Sequence, residues 1–177
     1  MSANGGMMDG MTGPHWQFAL AVYGKPGVPA ACLLLQDRCG VDVNVLLVGL
    51  YAAAVGIGPD RNGIAALDDG IRAIRETAVL PLRQVRRGMK GRDFGPATEM
   101  VRQQVQKAEL MAEQLEQAAL AALLARQPAT TAVPLRVATA VAANILAHFA
   151  AVRGVTPDAE ALAALETVVQ AAEEYVA

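Results

Sequence analysis

The densest run of charged side chains in this chain lies in its middle. Residues 61–92 carry eight basic and three acidic side chains, whereas residues 93–177 carry five basic and ten acidic ones. On a helix, Arg83, Arg87 and Lys90 would share one face, with Arg86 beside them. The candidate anion- or partner-binding residues are Arg72, Arg75, Arg83, Arg86, Arg87 and Lys90.

Arginine dominates this basic segment, and its planar guanidinium suits bidentate contacts with carboxylate or phosphate. One interpretation is therefore a surface for a nucleotide phosphate, a nucleic acid or an acidic protein. Aromatic side chains that would stack on bases are missing except for Phe94, which disfavours single-strand binding. The other interpretation is internal pairing with the later acidic residues Glu109, Glu113 and Glu116.

A polar corner around Gly40 is the second candidate site. It comprises Gln36, Asp37, Arg38, Asp42 and Asn44. Asp42 precedes an apolar segment and is predicted to cap that helix, and Arg38 suits the negative end of the helix before Gly40. Asn44 is expected to hydrogen-bond across the bundle. Asp37 and Asp42 could act as two hydrolytic carboxylates, but no third group of known role accompanies them.

If Asp37 meets an arginine of the basic segment, the polar corner and that segment form one site. The spacing around Gly40 also resembles a helix-turn-helix, but residues 43–55 offer almost no polar side chains to read bases. The sequence therefore argues against a DNA-reading helix at this corner.

A third candidate is an apolar pocket for a small or lipid-like molecule, formed by Trp16, Tyr23, Cys32 and Tyr51. The two histidines, His15 and His148, lack companions for a metal site, and His148 is expected to hydrogen-bond to Asn144 four residues earlier. No nucleophile, phosphate-loop or dinucleotide motif occurs. The sequence predicts neither a metal nor a cofactor.

The elements that position these residues are predicted to be helices throughout. Predicted segments are residues 14–24, 29–40, 42–56, an amphipathic stretch 64–89 broken at Pro81, a long helix at about 97–126, and two further helices, 135–152 and 157–175. Gly40 is the expected left-handed stop of the second helix, and Thr156 the expected cap of the last. The predicted inner face of the long helix comprises Val101, Val105, Ala108, Met111, Leu115, Ala119 and Ala122.

The predicted fold class is thus an all-α bundle of about seven or eight helices. Its expected divisions are a disordered tail at 1–14, a helical core domain at 15–127, and a C-terminal helix pair at 128–177 packed on the same domain. Apolar residues make up 54% of the 177 and charged residues 18%. Because charge is this scarce, we expect a protein partner or a second copy to cover part of the surface.

The sequence also indicates a cytoplasmic location. Cys32 and Cys39 are expected to be buried, unpaired thiols in a reducing compartment. The longest apolar run, residues 43–57, has fifteen residues and is too short to cross a bilayer. The first thirteen residues lack the basic start of a secretory signal.

Several linked motifs resemble an uncharacterised proteobacterial family catalogued as a domain of unknown function. The resemblance covers about residues 15–120 and implies a bacterial, helical protein without supplying catalytic residues. The motifs are Trp16-x-Phe18-Ala19-Leu20, Tyr23-x-x-Pro26-Gly27-Val28, Ala31-Cys32-Leu33, Leu35-Gln36-Asp37, Asp42-Val43-Asn44-x-Leu46-Leu47 and Pro81-Leu82-Arg83-x-x-Arg86-Arg87.

The leading functional hypothesis is a non-enzymatic helical module for protein interaction or self-association. Two alternatives stay open: an anion- or nucleic-acid-binding regulator that uses the Arg-rich helix 83–92, and a binder of a small apolar ligand in the bundle core. An enzyme built on Asp37, Arg38 and Asp42 is the last of the hypotheses.

Overall fold

The computed structural model describes residues 13–127 and 134–176. The predicted tail therefore lies almost wholly outside the described residues, as does the Pro/Thr linker predicted between the long helix and the C-terminal pair. Every regular element in the described part is helical, which confirms the all-α prediction. The elements are α1 (Pro14–Tyr23), α2 (Val28–Cys39), α3 (Val43–Ala54), α4 (Arg61–Ile74), a π-helical turn (Arg75–Val79), α5 (Leu80–Met89), α6 (Thr98–Leu124), α7 (Pro134–Arg153) and α8 (Ala159–Val176).

The corner between α2 and α3 has the predicted caps. Gly40 takes the left-handed conformation at φ 73°, and its N–H donates to the Gln36 carbonyl at 3.1 Å. Asp42 Oδ1 then accepts a hydrogen bond from the Val45 N–H at 3.0 Å, which caps α3. The chain therefore turns sharply and sets Gln36 and Asp42 on the two sides of one corner.

Pro81 changes the helix geometry in the turn that precedes it. The turn that precedes α5 is π-helical, and the Leu80 N–H donates to the Arg75 carbonyl five residues back. A wider turn relieves the clash between a proline ring and the carbonyl four residues before it. The one extra residue rotates α5 by about 100° relative to α4. As a result, Arg75 can point into the bundle while Arg83 and Arg86 point at α6.

The core is centred on α3, which is buried on most of its circumference. Leu46, Val48 and Leu50 are at most 1% exposed. Gly49 lets α7 approach closely, because a Cβ there would lie 2.6 Å from Ile145 Cδ1. The C-terminal helices α7 and α8 contribute to the same core as α1 to α4.

The predicted inner face of α6 is wrong. Val101, Met111 and Leu115 are 45%, 61% and 45% exposed. The buried residues of this helix are Glu109, Ala112, Glu116, Gln117, Leu120 and Leu124. The carboxylates turn inward because arginines from the α4–α5 segment meet them, and these ion pairs override the apolar spacing.

The cap of α8 also differs from the prediction. The helix begins at Ala159, and the Asp158 side chain, instead of Thr156, accepts the Ala161 N–H at 2.8 Å. Asp158 Oδ2 also accepts a hydrogen bond from Arg38 Nη1 at 2.6 Å, and Arg38 Nη2 lies 2.5 Å from Glu160 Oε2. Arg38 therefore ties the end of α2 to the start of α8.

Among the described helices, none is by itself both long and apolar enough for a membrane span; α1 and α2 reach the required length and composition only jointly, across a 98° bend.

Candidate functional site

The side chain of Arg75 lies between three carboxylates, and we call this group the Arg75 cluster. Its Nε is 2.6 Å from Asp42 Oδ2 and 3.4 Å from Glu116 Oε1, and its Nη1 is 2.5 Å from Asp68 Oδ1. All four side chains are at least 85% buried. The guanidinium also stacks over the Phe149 ring at 5.6 Å. The cluster therefore joins α3, α4, α6 and α7 at a single cation.

His148 completes this cluster on the α7 side. Its Nε2 lies 2.9 Å from Asp68 Oδ2. Among the described residues His148 makes no hydrogen bond to Asn144, so that prediction is wrong. Burial opposes the charge of Asp68, but hydrogen bonds from His148 and Arg75 outweigh it and hold the pKa of Asp68 below its usual value. Asp68 is thus ionised and fixed by two partners.

Glu116 is the most enclosed carboxylate of the cluster, with no exposed surface. Asn44 Nδ2 donates to Glu116 Oε2 at 2.6 Å, and Asn44 Oδ1 accepts from Gln117 Nε2 at 2.8 Å. This is the cross-bundle hydrogen bonding expected for Asn44. Burial, reinforced by the nearby charge of Asp42, raises the pKa of Glu116 to about 7.

A second group of ion pairs holds α5 against α6. Arg83 uses three nitrogens: Nε to Glu109 at 3.2 Å, Nη1 to the Gln36 amide oxygen at 3.0 Å, and Nη2 to Glu113 at 2.5 Å. Arg86 donates to both oxygens of Glu109. The guanidiniums of Arg83 and Arg86 are therefore engaged by carboxylates of the protein itself.

The other predicted basic residues face solvent. Arg72 pairs with Asp69 on its own helix and is 54% exposed. Arg87 and Lys90 are exposed and form no ion pair with the residues that the structure describes. The predicted basic face is thus divided into buried, paired arginines and free cations at the surface.

The predicted contact between Asp37 and an arginine is not made. Asp37 is exposed and has no ion pair within the described ranges. The polar corner instead meets the basic segment through Gln36 with Arg83 and through Asp42 with Arg75. Asp37 projects outward because Leu35 and Cys39, on the other side of α2, take the core positions.

A cleft of about 610 Å³ lies where these groups converge. One wall comes from α1 and α2 and carries Trp16, Tyr23 and Cys32. The opposite wall comes from α5 and α6, and the floor from the start of α3. The polar lining residues are Gln36, Asp42, Asn44, Arg83, Arg86, Arg87, Gln106, Glu109, Glu113 and Gln117. Three of the four predicted pocket residues therefore line one cleft.

Tyr51, the fourth predicted pocket residue, does not line this cleft. Its ring packs edge-on against Phe18 at 5.7 Å, and it borders a separate depression beside Tyr175. Tyr51 follows Leu47 by four residues and Asn44 by seven, so it lies on the same face of α3 but about 10 Å further along the helix than Asn44.

The two walls of the cleft are close enough to interact electrostatically. Burial, together with Cys32 and Glu113, raises the pKa of the Tyr23 phenol, and the opposing arginines only partly offset this. Burial likewise raises the pKa of Glu113. Gln117 is 2% exposed, and its Oε1 has no hydrogen-bond partner among the described residues.

Sequence reasoning missed Asp68 and Gln117 as site residues. A signal for Asp68 was available: Ile64, Asp68, Ile71 and Arg75 recur at spacings of four, three and four, so both charges share the apolar face of α4. Gln117 follows Glu113 by one helical turn and therefore faces the same way. No group of three His, Cys, Asp or Glu side chains within the described residues is arranged to hold a metal ion.

Fold and site together define a helical bundle with an open cleft whose polar wall is built from buried ion pairs. The chain belongs to the family described as protein of unknown function DUF2390, whose model matches residues 14–120. This confirms the resemblance, and every lining residue of the cleft lies within the matched span. No curated protein and no solved structure matches the chain.

Proposed function

We propose that this protein is a binding module that holds a small molecule in the cleft. The observation that carries the proposal is the convergence of three features that are separate in sequence. Trp16 and Tyr23 come from the predicted apolar pocket, Gln36 and Asn44 from the polar corner, and Arg83 from the basic segment. All five residues line one cavity. Its volume of about 610 Å³ falls in the range of ligand sites, and such sites combine apolar walls with a few converging polar groups.

The pairing of the arginines favours this function over anion binding. A phosphate or an acidic peptide at Arg83 would have to displace Glu109, Glu113 and the Gln36 amide. It favours binding over hydrolysis as well, because Asp42 is engaged by Arg75 and by the α3 cap, whereas Asp37 is exposed.

A fragment screen by ligand-observed NMR tests the proposal. The chain has a single tryptophan, and Trp16 is a cleft residue, so its fluorescence reports occupancy directly. Ala30→Phe, at an exposed position in the lining, is expected to block binding by filling the mouth of the cleft. Ala143→Phe, at an exposed position on α7, is the matched control and should leave binding unchanged.

The proposal is wrong if no fragment binds to the folded wild type, or if bound fragments are indifferent to Ala30→Phe. Thermal unfolding of both variants shows that the comparison is between folded proteins.

We also propose self-association through α6, on the independent observation that Val101, Met111 and Leu115 of its apolar stripe are exposed. Val101 and Leu115 lie seven residues either side of Ala108, and Val105 and Met111 lie three residues either side. Two antiparallel copies crossing at Ala108 would therefore bring Val101 of one against Leu115 of the other. Such a self-complementary patch is what a two-fold dimer requires.

Sedimentation velocity on the full chain tests the self-association. The paired substitution Met111→Glu with Leu115→Glu should convert a dimer into a monomer, and the protein should stay folded because both positions are exposed. Leu162→Glu, at a position 55% exposed on α8, is the control and should leave the dimer intact. A wild type that is monomeric at all concentrations tested would end the idea.

A further inference from the structure

The cleft contains one buried polar atom that the protein does not satisfy. Gln117 Oε1 has almost no exposed surface and no hydrogen-bond partner among the described residues, yet Gln117 lines the cavity. A buried acceptor without a donor loses its hydrogen bonds to water and gains none in return, which is unfavourable. A ligand that brings a donor to this atom would remove that cost.

The hydrogen bonds that link Glu116, Asn44 and Gln117 show that the unpaired atom of the Gln117 amide is its oxygen. Above its pKa of about 7, Glu116 is ionised and can only accept, so Asn44 must present its N–H to Glu116 and its oxygen to Gln117. Gln117 must then donate to Asn44 with its nitrogen. Its carbonyl oxygen is left without a partner, and the ionised carboxylate fixes this orientation.

The charges around the cleft also favour a donor. The Arg75 cluster and the α5–α6 ion pairs together contain three arginines, Arg75, Arg83 and Arg86. Against them stand five carboxylates: Asp42, Asp68, Glu109, Glu113 and Glu116. Arg87 at the rim is a fourth arginine, so the carboxylates around the cleft outnumber the arginines by one, five against four.

Glu113 carries part of this surplus into the cleft. It is 24% exposed, and one of its oxygens accepts a hydrogen bond from Arg83. Its second oxygen has no hydrogen-bond partner among the described residues. Glu113 and Gln117 are one turn apart on α6, and both side chains line the cavity. Both oxygens are acceptors, so one cationic group placed between them would bond to both.

The opposite wall suits the rest of such a ligand. It includes Trp16 and Tyr23 together with Leu20 and Leu33. Aromatic rings of this kind can attract cations. Leu20, Tyr23 and Leu33 are 50%, 43% and 49% exposed, so they offer apolar surface at the mouth.

We infer that the cleft takes an organic amine, with its ammonium group on Gln117 Oε1 and Glu113 and its apolar body against the Trp16 wall. This inference rests on the proposed function and names the ligand class. Arg87, exposed at the rim and without an ion pair among the described residues, is the feature that would favour an anion instead.

Titration with three probes of one skeleton tests the assignment: hexylamine, 1-hexanol and hexanoate, each followed by Trp16 fluorescence at pH 8. We expect hexylamine to bind about tenfold more tightly than 1-hexanol, and hexanoate to bind more weakly than either. Added salt should weaken hexylamine and leave 1-hexanol unaffected.

Two variants locate the ammonium group. Glu113→Gln keeps the shape of the side chain and should bring the affinity for hexylamine down to that for 1-hexanol. Glu166→Gln removes one negative charge from an exposed position on α8, away from the cleft lining, and should change nothing. Gln117→Met, which removes the acceptor oxygen and keeps the length, provides a second test if Glu113→Gln unfolds.

Hexanoate binding as tightly as hexylamine would overturn the amine assignment, and Arg87→Gln would then show whether the anion sits at the rim. Failure of all three probes would overturn it as well. The fragment screen on the same protein separates that result from failure of the proposed function, because fragments of another class would still bind and still respond to Ala30→Phe.

Discussion

Asp42 Oδ2 lies 2.6 Å from Arg75 Nε, while the other oxygen of the same carboxylate caps α3 through the Val45 N–H. One side chain therefore fixes both the start of the central helix and the position of the cation that joins four helices. The polar corner and the basic segment, which are far apart in sequence, meet at this carboxylate.

Removing the Arg75 side chain should be strongly destabilising. Arg75→Met leaves Asp42, Asp68 and Glu116 in the interior without their cation, and uncompensated buried charges of this kind cost about 3–5 kcal/mol. Urea denaturation at pH 7 measures the loss.

Arg72→Met is the matched control for Arg75→Met. Arg72 is 54% exposed and pairs only with its neighbour Asp69, so the free energy of unfolding should change by no more than about 0.5 kcal/mol. Equal effects of the two substitutions would contradict the role assigned to Arg75.

Glu116 should make stability fall as the pH rises towards neutrality. Its pKa is about 7 in the folded protein and lies near 4.5 in the unfolded chain, so between these values the unfolded state loses its proton first. The free energy of unfolding should therefore decrease from pH 5 to pH 7, by about 2 kcal/mol from this group.

Chemical denaturation of wild type and Glu116→Gln across this range isolates the effect, because the variant lacks the titrating group. Carboxylates with lowered pKa values, such as Asp68 and Glu109, act only at lower pH and should contribute alike to both proteins. Parallel stability curves from pH 5 to pH 7 would contradict the prediction.

Two glycines inside helices should respond differently to replacement by alanine. At Gly49 a Cβ would lie 2.6 Å from Ile145 Cδ1 and 3.3 Å from Val141 Cγ1, and forcing extra volume into a packed interface costs about 1–3 kcal/mol. At Gly88, in α5, a Cβ meets no atom within 4 Å.

Gly88→Ala should therefore stabilise by about 0.5–1 kcal/mol through helix propensity alone, whereas Gly49→Ala should be neutral to destabilising. Thermal unfolding of the pair tests this, and a stabilised Gly49→Ala would show that the α3–α7 contact is looser than described.

Both thiols should resist modification in the folded protein. Cys32 and Cys39 are 1% and 2% exposed, and burial raises the pKa of Cys32 to about 12, so almost no thiolate forms at pH 8. Maleimide should label neither thiol in the native state and both in denaturant. Cys32→Ser and Cys39→Ser would identify any site that reacts early, and rapid labelling of Cys32 would mean that the cleft opens to its base.

The sequence by itself determined that the chain is helical and where several helices end. Gly40 and Asp42 act through local geometry, a left-handed turn and a side-chain cap, and so both could be predicted from their own neighbours. Pro81 likewise predicted an irregularity, because a proline lacks the backbone N–H and disturbs any helix that contains it. The prediction that Thr156 caps the last helix was wrong. Asp158 caps it instead, because Asp158 also forms an ion pair with Arg38 from a distant helix.

Only the tertiary structure decided which face of α6 is buried and which residues form the site. The apolar spacing of that helix predicted Val101, Met111 and Leu115 inside, yet Glu109 and Glu116 are buried, and arginines from the α4–α5 segment pair with them. The free-energy cost of burying a carboxylate depends on a partner that is far away in the chain, and no local pattern of residues contains that information. For the same reason the sequence supplied Gln36, Asp42 and Arg83 as candidates, while the fold alone placed them beside Gln117 in one cleft.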